Sequence, residues 1–136
     1  REGMATSLRS GLDAVPRTAR AALVLLVDQP RVGAAAIARL VTAWRRHPGV
    51  PAAARYGGRV GVPAVLPRRP LPALKELTGD QGARALLRRA PSATLVDMPE
   101  AALDIDTPAD VLKLRAGASG PAAAVSALTQ PVAPLV

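Results

Sequence analysis

The 136-residue sequence contains no cysteine and no phenylalanine, and its only aromatic side chains are Trp44 and Tyr56. Without cysteine there is no disulfide framework, no thiolate metal site and no cysteine nucleophile, a composition compatible with a reducing compartment. Two aromatics are too few for the stacking platforms of single-strand nucleic-acid binders, which argues against a nucleic-acid module. The single histidine, His47, falls at the end of a predicted helix, where it suits a C-terminal cap better than a catalytic base. Any metal is therefore left with oxygen ligands, which suits a hard cation. No apolar run approaches membrane-spanning length, and the opening Arg-Glu-Gly-Met-Ala-Thr lacks the basic-then-apolar layout of a signal peptide. These absences predict a cytoplasmic protein with no membrane partner.

What is present bounds the answer further. The length suits one small domain, and hydrophobic residues make up 49% of the chain. With no Phe, the core must be built from Ala, Val and Leu, and it is thin per residue. The formal charge is +8, and only Lys75 and Lys113 of the 18 basic residues are lysines. The arginines are scattered along the chain, so the charge permits an anionic ligand without identifying one.

The strongest local signal is Leu23 to Val27, a continuous apolar run that reads as a central parallel strand buried on both faces. It stops at Asp28-Gln29-Pro30. In open α/β sheets ligands bind outside the carboxyl ends of strands, which makes Asp28 a candidate for chemistry. An aspartate before Gln-Pro equally well starts a turn, and from this stretch alone the turn is the preferred reading.

Met4, Leu8, Leu12 and Val15 recur at helical spacing and predict an amphipathic helix, ended by Pro16. Arg1 is not an initiator Met, and the abrupt start predicts that the chain begins inside a larger protein. Ile37, Leu40, Val41 and Trp44 mark one face of a helix over 31–46. A strand at Val50 to Ala54 then completes a βαβ unit, which implies an α/β fold with a parallel sheet. Tyr56 to Arg59 is a turn. Gly61 and Pro63 interrupt the strand-like pattern of Val60 to Leu66 and point to a shaped loop where a ligand or another backbone approaches. A short helix is expected over Pro70 to Leu77. Gly79-Asp80-Gln81-Gly82 then turns into a helix through Arg89, with Asp80 as its N-cap and Arg84, Arg88 and Arg89 along it. Ala93 to Val96 is a further short buried strand. Thr107, Pro108 and Asp110 signal a helix start, and the helix runs to about Ala116. Residues 1–116 form the folded portion, and 117–136 read as an Ala/Pro-rich mobile tail.

Asp104 and Asp106 alternate about Ile105, so in an extended conformation both carboxylates point to one side. Together with Asp28 they end what reads as strands of one sheet. Carboxylates gathered without His or Cys suit Mg²⁺, whose shell is completed by waters and substrate phosphates. A turn followed by a helix cap accounts for Asp104 and Asp106 equally well.

Five segments in this order narrow the choice. Gly3 to Leu12, Val24 to Pro30, Gly61 to Pro63, Gly79 to Arg84 and Asp104 to Asp110 together resemble the molybdenum cofactor cytidylyltransferase group of the MobA-like nucleotidyltransferases. The resemblance covers Gly3 to about Arg115 and implies a Rossmann-like three-layer α/β/α fold with a mostly parallel sheet, here truncated at the N-terminus. It also implies Mg²⁺-dependent nucleotidyl transfer from CTP, or GTP as in the guanylyltransferase relatives, to the terminal phosphate of molybdopterin. Pyrophosphate leaves. Asp28 matches the Mg²⁺-binding aspartate, and Asp104 and Asp106 match the acidic motif that closes the metal site, with Asp104 preferred as ligand. Ser7 matches a serine on the nucleotide side. Gly61 and Pro63, with Gly79, Asp80, Gly82 and Arg84, match the acceptor side, where Arg84 would clamp phosphate through its planar fork or stand as a solvated helix arginine. Molybdoenzyme maturation proteins are implied as partners.

The sequence departs from the family at two places. Val62 stands where many relatives have a polar residue, often His, which opens the acceptor to molecules other than molybdopterin. The glycine-rich triphosphate loop with which relatives begin is absent from these residues, so the chain on its own is expected to be inactive or nearly so. The alternative reading is a non-enzymatic remnant that keeps the α/β fold and offers its basic face to an acidic partner.

Overall fold

The computed structural model describes residues 4–68, 83–88 and 92–116. The helix expected over Pro70–Leu77, the turn at Gly79–Gly82 and the tail 117–136 lie outside the described residues. The chain divides into two units, one ending at Asp104 and one beginning at Ile105.

The first unit runs α1 (Met4–Asp13), β1 (Ala21–Val24), α2 (Ala34–Arg46), β2 (Ala52–Tyr56), β3 (Arg59–Pro67), α3 (Ala83–Arg88) and β4 (Thr94–Asp97), then a 3₁₀ turn at Pro99–Ala102. The strands form one sheet in the order β1-β3-β2-β4. β3 is antiparallel to both β1 and β2, whereas β2 and β4 are parallel. The mostly parallel sheet inferred from the βαβ pattern is thus corrected to a mixed one. β1 and β2 do run in the same direction on either side of α2, but β3 returns between them. The return is a tight hairpin, with Tyr56 opposite Arg59. Gly57 and Gly58 take φ of +53° and +71°, the left-handed pair that a two-residue hairpin turn matched to strand twist requires.

Two further expectations are corrected. The apolar run after Ala21 is not a central strand among the described residues: only Ala21–Val24 is strand, it stands at the end of the sheet order, and Leu23, Leu25, Leu26 and Val27 are exposed. Composition marks a run as apolar, but pairing on two sides depends on distant segments. Gly61 and Pro63 do not open a loop either. Both lie inside the nine-residue β3, because a bulge absorbs them: Ala53 pairs with Ala64 and the next residue, Ala54, with Gly61. Val62 and Pro63 are therefore left without partners on β2, and the peptide bond between them is cis.

Both sheet faces are covered, giving the expected three layers. On one face Ala53, Val62, Ala64 and Leu66 pack with Ala83 and Leu87 of α3 and with Leu8 and Leu12 of α1. On the other, Ala52, Ala54, Tyr56 and Val65 pack with Ala36, Leu40 and Trp44 of α2 and with Met98 and Ala101. The alternation of Ala52, Ala53 and Ala54 between the faces follows from the two-residue period of a strand. α2 ends at the expected place, with His47 as its C-cap.

The second unit contains α4 (Pro108–Ala116). Its start is the reciprocal box expected from the sequence: the Asp110 N–H donates to Thr107 Oγ1 at 3.3 Å, and the Thr107 N–H donates to Asp110 Oδ2 at 3.0 Å. No helix among the described residues is long and apolar enough to cross a membrane.

Candidate functional site at the carboxyl edge of the sheet

Because β1, β2 and β4 share one direction, their carboxyl ends open on the same edge of the sheet. Beyond that edge lie the segment between β1 and α2 (25–33), the β2–β3 hairpin and the 3₁₀ turn after β4. Asp28 sits in the first of these, half-buried. Its Oδ1 is shielded from solvent and has no hydrogen-bond partner among the described residues. A carboxylate oxygen in that state normally has a donor or a cation at hand, since burying an uncompensated charge costs far more than burying an apolar group.

The acids at and after the end of β4 are different. Asp97, the last residue of β4, accepts from Arg55 on β2 at 2.6 and 2.9 Å in a two-pronged pair. The Arg55 hydrogen bond holds the Asp97 carboxyl below its ordinary range and raises the guanidinium in turn. Glu100 in the 3₁₀ turn accepts from Arg39 of α2. Its carboxyl is lowered first by a hydrogen bond from its own backbone N–H and then by Arg39. Arginines thus neutralise Asp97 and Glu100, whereas the buried oxygen of Asp28 has no donor among the described residues.

Next to Asp28, Gln29 is 4% exposed and is the one buried polar residue among those described. Its Nε2 donates to the carbonyl of Ala101 at 2.9 Å and the carbonyl of Val62 at 3.2 Å, and lies 3.4 Å from the Tyr56 hydroxyl. One amide thereby joins the segment after β1 to β2, to the β3 bulge and to the 3₁₀ turn. The sequence reading left Gln29 as a turn residue. Its partners lie 27, 33 and 72 positions away, so no local spacing reveals them, and the only available signal was an amide wedged between an acid and a proline.

The other expected site residues are distributed as follows. Ser7 is an exposed residue of α1, and Gly61 and Pro63 are buried in β3. Arg84 belongs to α3, while Gly79, Asp80 and Gly82 lie outside the described residues. Asp104 is exposed at the end of the first unit, and Asp106 is exposed in the second. Neither ends a strand, as the sequence reading had it: β4 stops at Asp97, and Pro99 starts the 3₁₀ turn before Asp104 is reached. Among the described residues no three His, Asp or Glu side chains are gathered closely enough to hold a metal ion between them.

Comparison with known proteins gives this edge a context. Residues 1–95 match the MobA-like NTP transferase domain, and the chain belongs to that family. Among solved structures, the Rv0371c homologue from Mycobacterium sp. strain JC1 is 30% identical with a TM-score of 0.67, covering 82% of this chain and 57% of its own. Rv0371c of Mycobacterium tuberculosis H37Rv is 30% identical with a TM-score of 0.66, covering 81% of this chain and 58% of its own. The same protein in complex with manganese aligns at 32% identity and a TM-score of 0.61, covering 79% and 58%. The chain thus spans less than two thirds of the length of these relatives. No functionally curated protein matches.

Proposed function

We propose that this chain carries the Asp28 side of a Mg²⁺-dependent nucleotidyltransferase site, one that moves a nucleotidyl group from CTP or GTP to a phosphorylated, molybdopterin-like acceptor. The observation that carries the reading is the buried Oδ1 of Asp28, without a partner among the described residues, at the carboxyl edge of a family-defined fold. A divalent cation suits that oxygen, and a relative has been solved with manganese. Asp104 is the preferred second ligand, and Asp106 orients the helix that follows. Ser7 lies on the nucleotide side. Gly61, Pro63, Gly79, Asp80 and Gly82 shape the acceptor side, and Arg84 clamps the acceptor phosphate.

In the reaction an acceptor phosphate oxygen attacks the α-phosphorus in line, the new P–O bond forms, and pyrophosphate departs with the electrons of the bond that breaks. Bound Mg²⁺ supplies neutralisation of the charge that grows on the phosphate oxygens. The protein groups mainly position, which is how phosphoryl and nucleotidyl transfers are generally accelerated.

A Mn²⁺ titration of the chain followed by NMR tests the reading. Paramagnetic broadening should centre on Val27 and Asp28 and disappear in Asp28→Asn. Broadening that is unlocalised, or unchanged in Asp28→Asn, removes Asp28 from a metal site. Salt-sensitive association with an acidic protein, without any binding of magnesium nucleotide, would favour the interaction-module alternative instead.

A further inference from the structure

The segment between β1 and α2 has little backbone scaffolding. Between β1 and the first turn of α2, the one backbone hydrogen bond internal to the segment among the described residues joins the Val32 N–H to the Gln29 carbonyl at 3.1 Å. Leu25, Leu26 and Val27 are exposed, while Val32, at the α2 end of the segment, packs against the cluster that holds Trp44 and Met98. Around Asp28 apolar packing does little, and the orientation there rests on what Gln29 reaches.

An amide NH₂ has two hydrogens. The shorter contacts, to Ala101 and Val62, take both, and the Tyr56 hydroxyl at 3.4 Å is a marginal third. Gln29 Oε1 is buried and has no partner among the described residues. The side chain is thus held through its nitrogen alone. Asp28 directly precedes Gln29, so holding Gln29 restricts the directions in which the Asp28 carboxylate can leave the backbone.

We propose that Gln29 is the positioning residue of this site: its amide nitrogen pins the segment after β1 to the Val62 and Ala101 carbonyls and so presets Asp28 for a divalent cation. This rests on the reading of Asp28 as a metal ligand. It adds that the metal side and the β3 bulge, assigned above to the acceptor side, are mechanically joined through the Val62 carbonyl, so that a shift of one reorients the other.

Gln29→Met keeps the length of the side chain and removes both donors. Groups that orient a metal ligand from behind typically change metal affinity about 10- to 100-fold when lost, so the midpoint of Mn²⁺ broadening at Asp28 should rise by about that factor, measured well below each variant's melting temperature. Leu40→Ala is the control: it lowers stability by removing a fully buried side chain of α2 and should leave the Mn²⁺ midpoint at the wild-type value. A Gln29→Met variant that binds Mn²⁺ as wild type does overturns the positioning role and leaves Asp28 as ligand. Mn²⁺ binding unaffected by Asp28→Asn overturns the metal reading and this inference with it. Should Gln29→Met fail to fold, the wild-type chain answers: the Gln29 Nε2 proton resonances should shift on Mg²⁺ addition with the midpoint of the Asp28 amide. Resonances that stay in place while that amide moves refute the proposal.

Discussion

Asp28→Asn should make the metal-free protein more stable, a sign opposite to that of most substitutions. The native carboxylate keeps one oxygen shielded from solvent with no hydrogen-bond partner among the described residues. An unsatisfied buried polar group costs about 1–3 kcal/mol, more when charged. Asp28 as a whole is only half-buried, so part of the charge is solvated and the gain on neutralising it belongs at the low end, about 1 kcal/mol. For a unit of roughly this size that corresponds to a rise of about 4–8 °C in Tm.

The gain should reverse with metal. At ten times Kd, a ligand bound only by the native state adds about 1.4 kcal/mol, which wild type acquires and Asp28→Asn does not. Thermal melts of both proteins in EDTA and in a Mn²⁺ series would then cross, the variant melting higher without metal and lower with it. A variant that melts below wild type in EDTA refutes the reasoning, because the buried oxygen would then be making an interaction worth keeping.

Leu40→Ala should cost about 2.7–5 kcal/mol in urea unfolding, since Leu40 is fully buried beneath α2; a loss below about 1 kcal/mol would mean that α2 is not seated on Ala52 and Ala54. Gly58→Ala should destabilise by about 1 kcal/mol. Its φ is +71° and a Cβ there would meet nothing within 4 Å, so the cost is conformational, and a bulky partner elsewhere cannot rescue it. Arg55→Met should return the Asp97 carboxyl upward toward its ordinary 3.8, read by carbon-detected NMR titration. Because the folded value is depressed, the stabilising contribution of the pair is complete above the ordinary value and is lost as pH falls through the depressed one. Arg55→Met should erase that part of the acid dependence, and an Asp97 titration unmoved by the substitution would show that the pair is not formed in solution.

Where periodicity is local, the fold was legible. Ile37, Leu40, Val41 and Trp44 mark α2, and its buried positions include Leu40 and Trp44. Thr107, Pro108 and Asp110 mark the start of α4, and the two side chains cap each other as the spacing predicts. The order of strands was not legible. β3 enters between β1 and β2 through pairings such as Val24 with Ala64, which are set by tertiary packing and leave no mark on a window of ten residues. Gly61 and Pro63 read as interruptions because the rule that excludes them from strands applies to regular ladders, and a bulge suspends it. For the candidate site, Asp28 stood out by its place after an apolar run, although that stretch alone favoured a turn. The amide beside it was not, since a glutamine in a turn looks the same whether its acceptors are water or three distant segments.

The thinness of the core bears on why one polar side chain can matter this much. β2 presents Ala52, Ala53 and Ala54, all fully buried, to the two faces of the sheet. Such small side chains let α2 and α3 approach closely but contribute little apolar area each. Larger residues at these positions would hold the helices apart, and would overpack the faces as they stand. At the carboxyl edge β2 offers the segment after β1 a single aromatic, Tyr56, whose hydroxyl makes a marginal 3.4 Å contact with Gln29. Two buried hydrogen bonds to carbonyls are shorter, and they are directional where packing is not: one is accepted by Val62, a residue that the bulge leaves without a partner on β2. An irregularity that looked like a break in a strand thus supplies one of the carbonyls that anchor the metal side of the proposed site to the sheet.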